Sequence, residues 1–244
     1  MNSEYKNIIK DADTAVLFIH GILGTPRHFD FLLPLVPDGW SAWSILLPGH
    51  GGTYLDFANS SMDKWKAYCE KALLELCDSH RRVILLGHSM GTLLSVYLAE
   101  KHPDKVSEIF ALAMPLCPHL TPVAMAGCIH LIYSSPDRAK GYFLSCHQAC
   151  SIALTKNLFA YLRWIPRYLE LFALARETRE IMSTLKAYCV AIQSRHDELV
   201  AFRSIKFTGN AETIVLPHSR HYYYSEKDRK TIEDAFLKFI DRLT

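Results

Sequence analysis

The sequence predicts an α/β fold, with a mostly parallel, doubly wound sheet of about six to seven strands and a helical insertion. Short apolar runs alternate with segments of helical periodicity along most of the 244 residues, which is typical of βαβ units. Residues 116–184 interrupt this alternation, because they contain no strand-like run and are apolar on nearly all sides. We therefore expect an α/β core formed by residues 1–115 and 185–244, with residues 116–184 as a helical cap over the edge of the sheet.

Two strands and two helices are expected in the first third of the chain. They are strands over residues 14–21 and 41–51, and helices over residues 26–36 and Met62–Cys77. Pro26 suits the first turn of its helix, where a backbone N–H is not needed. Ser60 or Ser61 is the expected N-cap of the second helix, because a serine hydroxyl accepts a hydrogen bond from a free amide of the first turn.

The remaining core elements continue the alternation. They are a strand over Val83–Leu86, a helix over Thr92–Ala99, strands within 106–115, 186–200 and 212–221, and a last helix from Ser225 or Glu226. Inside the insertion, residues 157–178 are helical in character but contain Pro166 in the middle. A proline there removes a helix hydrogen bond, so this segment is expected to be a kinked helix or two helices.

Composition argues against several classes of function. A net charge of +2 and a pI near 8.1 are too mild to indicate a nucleic-acid partner. No apolar run reaches the ~18 residues that a membrane span requires, and the N-terminal apolar run is too short for a signal peptide. The seven cysteines are odd in number and irregularly spaced, which favours reduced thiols. We therefore expect a cytoplasmic protein without stable insertion into a membrane.

Neither a metal nor a cofactor is expected. Cys146, His147 and Cys150 lie close together in the chain, but no second pair of ligands follows at the spacing of a zinc site. Buried or half-buried cysteines explain these residues better.

The segment "GHSMG" lies where a buried strand meets a helix. It contains Ser89, with Gly87 and Gly91 two positions to either side. A strand-to-helix turn this sharp needs residues without a side chain at those two positions, since the two backbones nearly touch there. The turn is expected to expose the Ser89 hydroxyl in front of the free amides of the following helix, as a nucleophile requires. The pattern also occurs by chance, so its strand-and-helix context carries the prediction.

Other polar residues follow the ends of the predicted strands. His20, Gly21 and Ile22 follow the first strand, Asp197 follows the penultimate strand, and two histidines follow the last one. Because the carboxyl ends of parallel strands meet at one edge of a sheet, these residues are expected to lie near Ser89. A serine becomes nucleophilic when a histidine removes its proton and a carboxylate orients that histidine.

The residue types alone do not decide which histidine would act as the base and which carboxylate as the acid. His218 and His221 lie three residues apart on the same loop, and either can serve as the base. Glu198 is adjacent to Asp197, while Asp137 lies in the insertion. The chain order of serine, acid and histidine is the one expected for this topology.

Five motifs together resemble a known superfamily. In chain order they are "HGILGTP", "LPGHG", "GHSMG", "HDELV" and "SRHYYYSEKDR". Over nearly its full length the chain resembles the α/β-hydrolases, in particular compact bacterial carboxylesterases and monoacylglycerol lipases. The resemblance implies an α/β-hydrolase fold.

The resemblance also implies roles for individual residues. Ser89 would be the nucleophile, Asp197 the orienting acid and His221 the general base. The backbone amides of Ile22 and Met90 would form the oxyanion hole, which stabilises the negative charge of the tetrahedral intermediate.

Further positions have supporting roles or depart from the family pattern. The resemblance implies that His20 braces the oxyanion loop and that His50 braces the loop after "LPG". Thr92 stands where the related sequences often have another glycine, and Arg220 stands where they frequently have glycine before the histidine. An arginine at that position can depress the basicity of the histidine or bind an anionic substrate.

The predicted function is hydrolysis of carboxylic esters through an acyl-enzyme on Ser89. The apolar insertion favours a small ester with an apolar acyl part, such as a short or medium acyl ester or a monoacylglycerol. A lysophospholipase or a thioesterase would use the same three residues, and a non-catalytic ligand-binding protein on this fold is the alternative from another class. Arginines at 163, 167 and 176 flank the apolar stripe, which allows transient contact with a lipid surface.

Overall fold

The computed structural model describes residues 3–243 and contains one central sheet. Its strands are β1 Tyr5–Asn7, β2 Thr14–Ile19, β3 Ser41–Ile45, β4 Arg82–His88, β5 Glu108–Leu112, β6 Tyr188–Ser194 and β7 Glu212–Leu216. Its α-helices are α1 Tyr54–Ala58, α2 Met62–Cys77, α3 Met90–Lys101, α4 Pro122–Tyr133, α5 Tyr142–Ala149, α6 Ile165–Ile181 and α7 Glu226–Asp241. Short 3₁₀ helices connect several of these elements.

The sheet has the order β1-β3-β2-β4-β5-β6-β7. Strands β2 to β7 pair in parallel, whereas β1 pairs antiparallel with β3. The prediction of a mostly parallel sheet in an α/β fold is confirmed. The sequence reading missed β1, because its three residues are exposed and polar enough to lack the apolar run by which a strand is recognised.

Helices cover both faces of the sheet. On one face, α2, α3 and α6 bury residues such as Trp65, Leu93 and Leu174. On the other face, α7 packs Phe236 against Phe110 of β5, with ring centroids 5.3 Å apart. Strands covered on both sides must be apolar throughout, and β2 accordingly has no exposed residue.

The prediction of an α-helix over residues 26–36 is wrong. The structure has two 3₁₀ helices there, Pro26–Phe29 and Leu33–Leu35. Pro34 lies in the middle of the segment and cannot donate the backbone hydrogen bond that a continuous α-helix needs. The helix over Met62–Cys77 is confirmed, and the Ser61 hydroxyl caps it by accepting a hydrogen bond from Lys64 N at 3.2 Å.

The segment 116–184 is helical in the structure. Pro166 separates a 3₁₀ helix, Leu158–Trp164, from α6 and lies in the first turn of α6, so the two-helix alternative is correct. Helix α6 buries Leu171 and Leu174 in the core, whereas α4 buries only Ala124 and Gly127. None of the helices within residues 3–243 is both long enough and apolar enough to cross a membrane.

Candidate active site

Ser89 lies at the turn between β4 and α3 in a strained backbone conformation. Its φ and ψ angles are +51° and −123°, which side chains other than glycine rarely adopt and which costs on the order of 1–3 kcal/mol. Three hydrogen bonds hold it there. Ser89 N–H donates to Leu112 O at 2.8 Å, while its carbonyl accepts from Thr92 N–H at 2.9 Å and from the Thr92 hydroxyl at 2.7 Å. Thr92 therefore supports the turn rather than disturbing it.

Gly87 and Gly91 are required by close approach of the backbones. A Cβ atom on Gly91 would lie 1.8 Å from Ile19 O of β2, and one on Gly87 would lie 2.6 Å from Thr92 N. Real Cβ atoms do not approach other heavy atoms this closely, so no other residue fits at either position without displacing β2 or α3.

The Ser89 side chain is more enclosed than the sequence reading implies. Its exposed fraction is 5%, although a fully exposed hydroxyl is the expectation for a residue at the apex of such a turn. The loop after β2 covers it, since a Cβ built on Gly21 would lie 2.9 Å from Ser89 Cβ. Ser89 thus faces a confined space rather than open solvent.

His221 is the histidine that meets a carboxylate. Its Nδ1–H donates to Asp197, with distances of 2.9 Å to Oδ2 and 3.1 Å to Oδ1, and both side chains are buried. His218 is exposed, and its backbone N–H donates to Asp228 instead. Of the two histidines that the sequence left open, the structure pairs His221 with the acid.

Asp197 is held by the main chain of its own loop. Its Oδ1 accepts hydrogen bonds from Leu199 N at 2.9 Å and Val200 N at 2.8 Å. Glu198 does not contact the imidazole; its Oε2 accepts a hydrogen bond from the backbone N–H of His221 at 3.2 Å. The carboxylate on the ring is therefore that of Asp197.

The pKa of His221 is raised above the usual histidine value. Burial acts to lower it, but the negative charge and hydrogen bond of Asp197, with the charge of Glu198, favour the protonated ring more strongly. A buried imidazole that still accepts a proton near neutrality is what general-base catalysis requires.

Two further histidines lie beside His221, and the sequence reading did not identify them. His88 Nε2–H donates to the carbonyl of His221 at 3.1 Å, and the two rings are 4.9 Å apart, which brings His221 next to the Ser89 turn. His28 lies against His88, with ring centroids 3.8 Å apart. Burial lowers the pKa of His28 to about 3 and that of His88 well below the usual value, so both rings are neutral.

His20 and His50 brace the loop that follows β2. His20 Nδ1–H donates to Gly21 O at 2.8 Å, and its Nε2 accepts from Leu47 N at 3.0 Å. His50 Nε2 accepts from Leu23 N at 3.1 Å, where Leu23 has a φ of +59°. Burial lowers the pKa of His20 to about 4, so this ring supports the loop in its neutral form.

The two predicted oxyanion-hole amides belong to the residue after Ser89 and to the loop after β2. Met90 is the first residue of α3, so its N–H has no acceptor within the helix. Ile22 lies in the braced loop, and its carbonyl accepts a hydrogen bond from the Tyr222 hydroxyl at 3.5 Å. Orienting the carbonyl side of this loop fixes the neighbouring peptide groups as well.

Arg220 is directed toward the insertion. Its guanidinium lies over the ring of Tyr142 in α5, 5.4 Å from the centroid, and its carbonyl accepts from the Ser194 hydroxyl at 3.0 Å. His147 pairs with His130, Nε2 to Nδ1, at 3.2 Å. Within residues 3–243, no group of three or more His, Cys, Asp or Glu side chains is arranged to hold a metal ion.

The chain is similar to known proteins over most of its length. The model of the family described as "Alpha/beta hydrolase family" matches residues 16–235. Among curated proteins, the chain is 32% identical over 96 residues to a thermostable monoacylglycerol lipase from Bacillus sp. (strain H-257), which is 39% of this chain and 38% of that protein. It is 37% identical over 100 residues, 41% of this chain, to a pimeloyl-[acyl-carrier protein] methyl ester esterase from Neisseria meningitidis serogroup C, of which it covers 36%. The chain thus matches less than two fifths of the length of these relatives.

Solved structures share the fold over the whole chain. A structure reported for the metagenome-derived lipolytic enzymes LipS and LipT has a TM-score of 0.75 at 21% identity, covering 99% of this chain and 98% of that one. A variant of the monoglyceride lipase from Saccharomyces cerevisiae has a TM-score of 0.66 at 16% identity, covering 97% and 89%.

Gly91→Ala is expected to destabilise the protein by about 3 kcal/mol or more, because the new methyl group overlaps Ile19 O and forces β2 and α3 apart. The free energy of unfolding, measured by urea denaturation, checks this. Gly39→Ala is the matched control, since a Cβ there meets nothing within 4 Å. Equal stability of the two variants would contradict the close packing described for the turn.

The histidines whose pKa values the fold lowers are expected to make the stability of the protein sensitive to acid. Below about pH 6.5 the unfolded chain binds protons that His20, His28, His50 and His88 do not bind in the folded state. The free energy of unfolding should therefore fall as the pH is lowered toward about 4, by up to about 1.4 kcal/mol per pH unit for each group. His221, whose pKa is raised, acts in the opposite direction.

Urea unfolding measured from about pH 7.5 to about pH 5 tests this dependence. Replacing His28 with glutamine should flatten the slope, and the same change at exposed His218 should leave it as it is. A slope that is identical in the wild type and His28→Gln would show that His28 is not held neutral.

Proposed function

The chain belongs to the alpha/beta hydrolase family, and from this premise we propose that it is a serine hydrolase that cleaves carboxylic esters. The observation that carries the proposal is the buried pair of His221 and Asp197 beside the strained turn at Ser89. A rigid serine, a histidine with a raised pKa and an oriented carboxylate together supply a nucleophile and its base.

The proposed reaction passes through an acyl-enzyme. Ser89 Oγ attacks the ester carbonyl carbon while Nε2 of His221 takes the hydroxyl proton, since Nδ1–H is held by Asp197. The resulting tetrahedral oxyanion collapses, the C–O bond to the alcohol breaks, and His221 returns the proton to the departing alcohol. Water then attacks the acyl group with His221 again as base, which releases the carboxylic acid and restores Ser89.

The backbone amides of Ile22 and Met90 are the proposed donors to the oxyanion. Met90 N–H is free at the start of α3, where the helix dipole also favours negative charge. Ile22 lies in a loop that His20 and His50 hold in place. Donors that are fixed before the reaction need no reorganisation as the charge develops, and each lowers the barrier by about 3–4 kcal/mol.

The proposed substrate is a small ester with an apolar acyl part. We propose that residues 116–184 act as a cap, because the residue before α4, Thr121, is bonded to the loop that carries Asp197, and α5 contacts the 3₁₀ helix Pro26–Phe29 after β2. The curated relatives named above include a monoacylglycerol lipase and a methyl ester esterase, which favours short or medium acyl esters or a monoacylglycerol. We also propose a cytoplasmic location, since the seven cysteines are free thiols.

The outer surface of the insertion is proposed to touch lipid transiently. Its exposed apolar residues are Leu120, Val123, Met125, Ile129, Tyr133, Leu158, Phe159, Leu162, Ile165, Leu169 and Phe172. Phe159 is 82% exposed, and residues 121–180 contain seven Lys or Arg against four Asp or Glu. An apolar surface with a basic surround suits a membrane that contains anionic lipid and would deliver an apolar ester.

Turnover of p-nitrophenyl esters with acyl chains of two to sixteen carbons is the first test. The wild type is expected to show a maximum at one chain length, and Ser89→Ala should reduce kcat by about 10³-fold or more. His221→Gln should have a comparable effect, because it removes the base.

Exposed residues of the same types provide the controls. Ser183→Ala and His218→Gln should retain activity, since both positions are exposed and away from the Asp197 pair. Activity that survives Ser89→Ala would refute the mechanism. Turnover of acyl thioesters or lysophospholipids in preference to simple esters would shift the substrate class, and binding without turnover would indicate a ligand-binding protein.

Binding to vesicles tests the lipid-facing surface. The double variant Phe159→Asp/Leu162→Asp is expected to lose most sedimentation with vesicles of phosphatidylcholine and phosphatidylglycerol, because a charge cannot enter the apolar interface. Leu74→Asp, at an exposed site on α2, should sediment like the wild type. Equal sedimentation of both variants would exclude this surface, and thermal unfolding checks that each is folded.

A further inference from the structure

Glu198 is a buried carboxylate that the proposed mechanism leaves without a role. Its exposed fraction is 2%, and its Oε2 accepts the backbone N–H of His221 at 3.2 Å. Its other oxygen, Oε1, accepts no hydrogen bond within 3.5 Å among residues 3–243, and the Tyr142 hydroxyl of α5 interacts with the same carboxylate. An unpaired buried acceptor is unfavourable for stability, so a purely structural role would be served better by an apolar side chain.

Main-chain hydrogen bonds hold Glu198 in place. Its carbonyl accepts both the backbone N–H of Thr121, at 3.3 Å, and the Thr121 hydroxyl, at 3.2 Å. The neighbouring residues extend this pairing: His119 N–H donates to Leu199 O at 2.9 Å, and Pro118 bridges Val200. The loop that carries Asp197 and Glu198 is therefore paired with the first residues of the insertion, and the carboxylate has a defined position under His221.

Two carboxylates are the charged groups acting on the His221 ring. Asp197 bonds to Nδ1, and Glu198 adds a second negative charge through its bond to the main chain of the same residue. The other titratable groups beside the ring and its two carboxylates are neutral, because burial lowers the pKa of His28 and His88 and raises that of Tyr142, Tyr222 and Tyr224. Arg220, on the same loop as His221, is turned over Tyr142.

We propose that Glu198 is a positioning residue for His221: it fixes the main chain of the catalytic histidine and stabilises the imidazolium that forms when Ser89 gives up its proton. This inference rests on the proposed function, because it assigns His221 the role of base. The two effects are separable in principle. A neutral amide at position 198 keeps an acceptor for the His221 N–H but removes the charge, whereas alanine removes both.

The experiment compares Glu198→Gln and Glu198→Ala with the wild type in two readouts. The first is the pKa of His221, measured by NMR titration of the ring and assigned with His221→Gln. The second is the pH profile of kcat and KM for the best p-nitrophenyl ester. Glu180→Gln, an exposed glutamate on α6, is the matched control.

In Glu198→Gln, the pKa of His221 is expected to fall by about one unit, and the acid limb of the kcat/KM profile should move to lower pH by the same amount. At the alkaline plateau, kcat should fall by about tenfold at most, because the imidazolium loses one stabilising charge. In Glu198→Ala, kcat at the plateau should fall further, by about 10²-fold, with KM nearly unchanged, because the ring is no longer held in line with Ser89.

An unchanged His221 pKa in folded Glu198→Gln would overturn the proposal, since Glu198 would then exert no effect on the ring. Plateau kcat values that are equal in folded Glu198→Ala and the wild type would also overturn it. If Glu198→Ala does not fold, the pKa of His221 in Glu198→Gln decides the proposal. If the wild type shows no turnover that depends on Ser89, the proposed function fails, and the NMR titration still reports whether Glu198 acts on His221.

Discussion

The close crossing of β2 and α3 behind Ser89 is the constraint on which the site depends. Only a residue without a side chain fits at Gly91, because the carbonyl of Ile19 occupies the place of a Cβ. This contact forces the chain to reverse from strand to helix within one residue, and Ser89 takes up the resulting strain. The hydrogen bond from Ser89 N–H to Leu112 O ties the turn to β5, an interior strand of the sheet. The serine is therefore fixed before any substrate arrives.

A neighbouring carboxylate, rather than burial, separates His221 from the other histidines around this turn. His20, His50 and His88 are buried and His28 is half-buried, all without a carboxylate on the ring, so desolvation lowers their pKa values and keeps them neutral. His221 is equally enclosed but faces two negative charges, which is why it alone is adjusted to take up a proton. The same side chain thus stays neutral or is favoured to take up a proton, according to whether a carboxylate lies beside it.

Most of the fold was predictable from the sequence because its strands are buried on both faces and form continuous apolar runs. Strand β1 was not predictable, since it pairs through its backbone at an exposed edge of the sheet. The prediction of a helix over residues 26–36 was wrong because Pro34 interrupts a continuous α-helix there. Spacing on the chain left His218 and His221 open as the base. Asp228 in α7 accepts hydrogen bonds from His218 N–H and the Ser219 hydroxyl, which turns His218 outward. That contact and the contact between the His28 and His88 rings join segments that are distant in the sequence, so no local sequence pattern predicts them.

The pairing of the acid loop with residues 118–121 also limits how the insertion can move. Its first residues are bonded to the loop that holds Asp197, and its last helix, α6, is part of the core. Between these roots, Ser151 N–H donates to Leu23 O at 2.9 Å. Ser151 and Ala153 also pair with residues 51–54, so the segment is tied at both ends and at several points near its middle, and these ties restrict its motion as one rigid body. These ties leave α4 and α5 as the less constrained part of the insertion, and the loops that anchor it also carry Asp197 and Ile22.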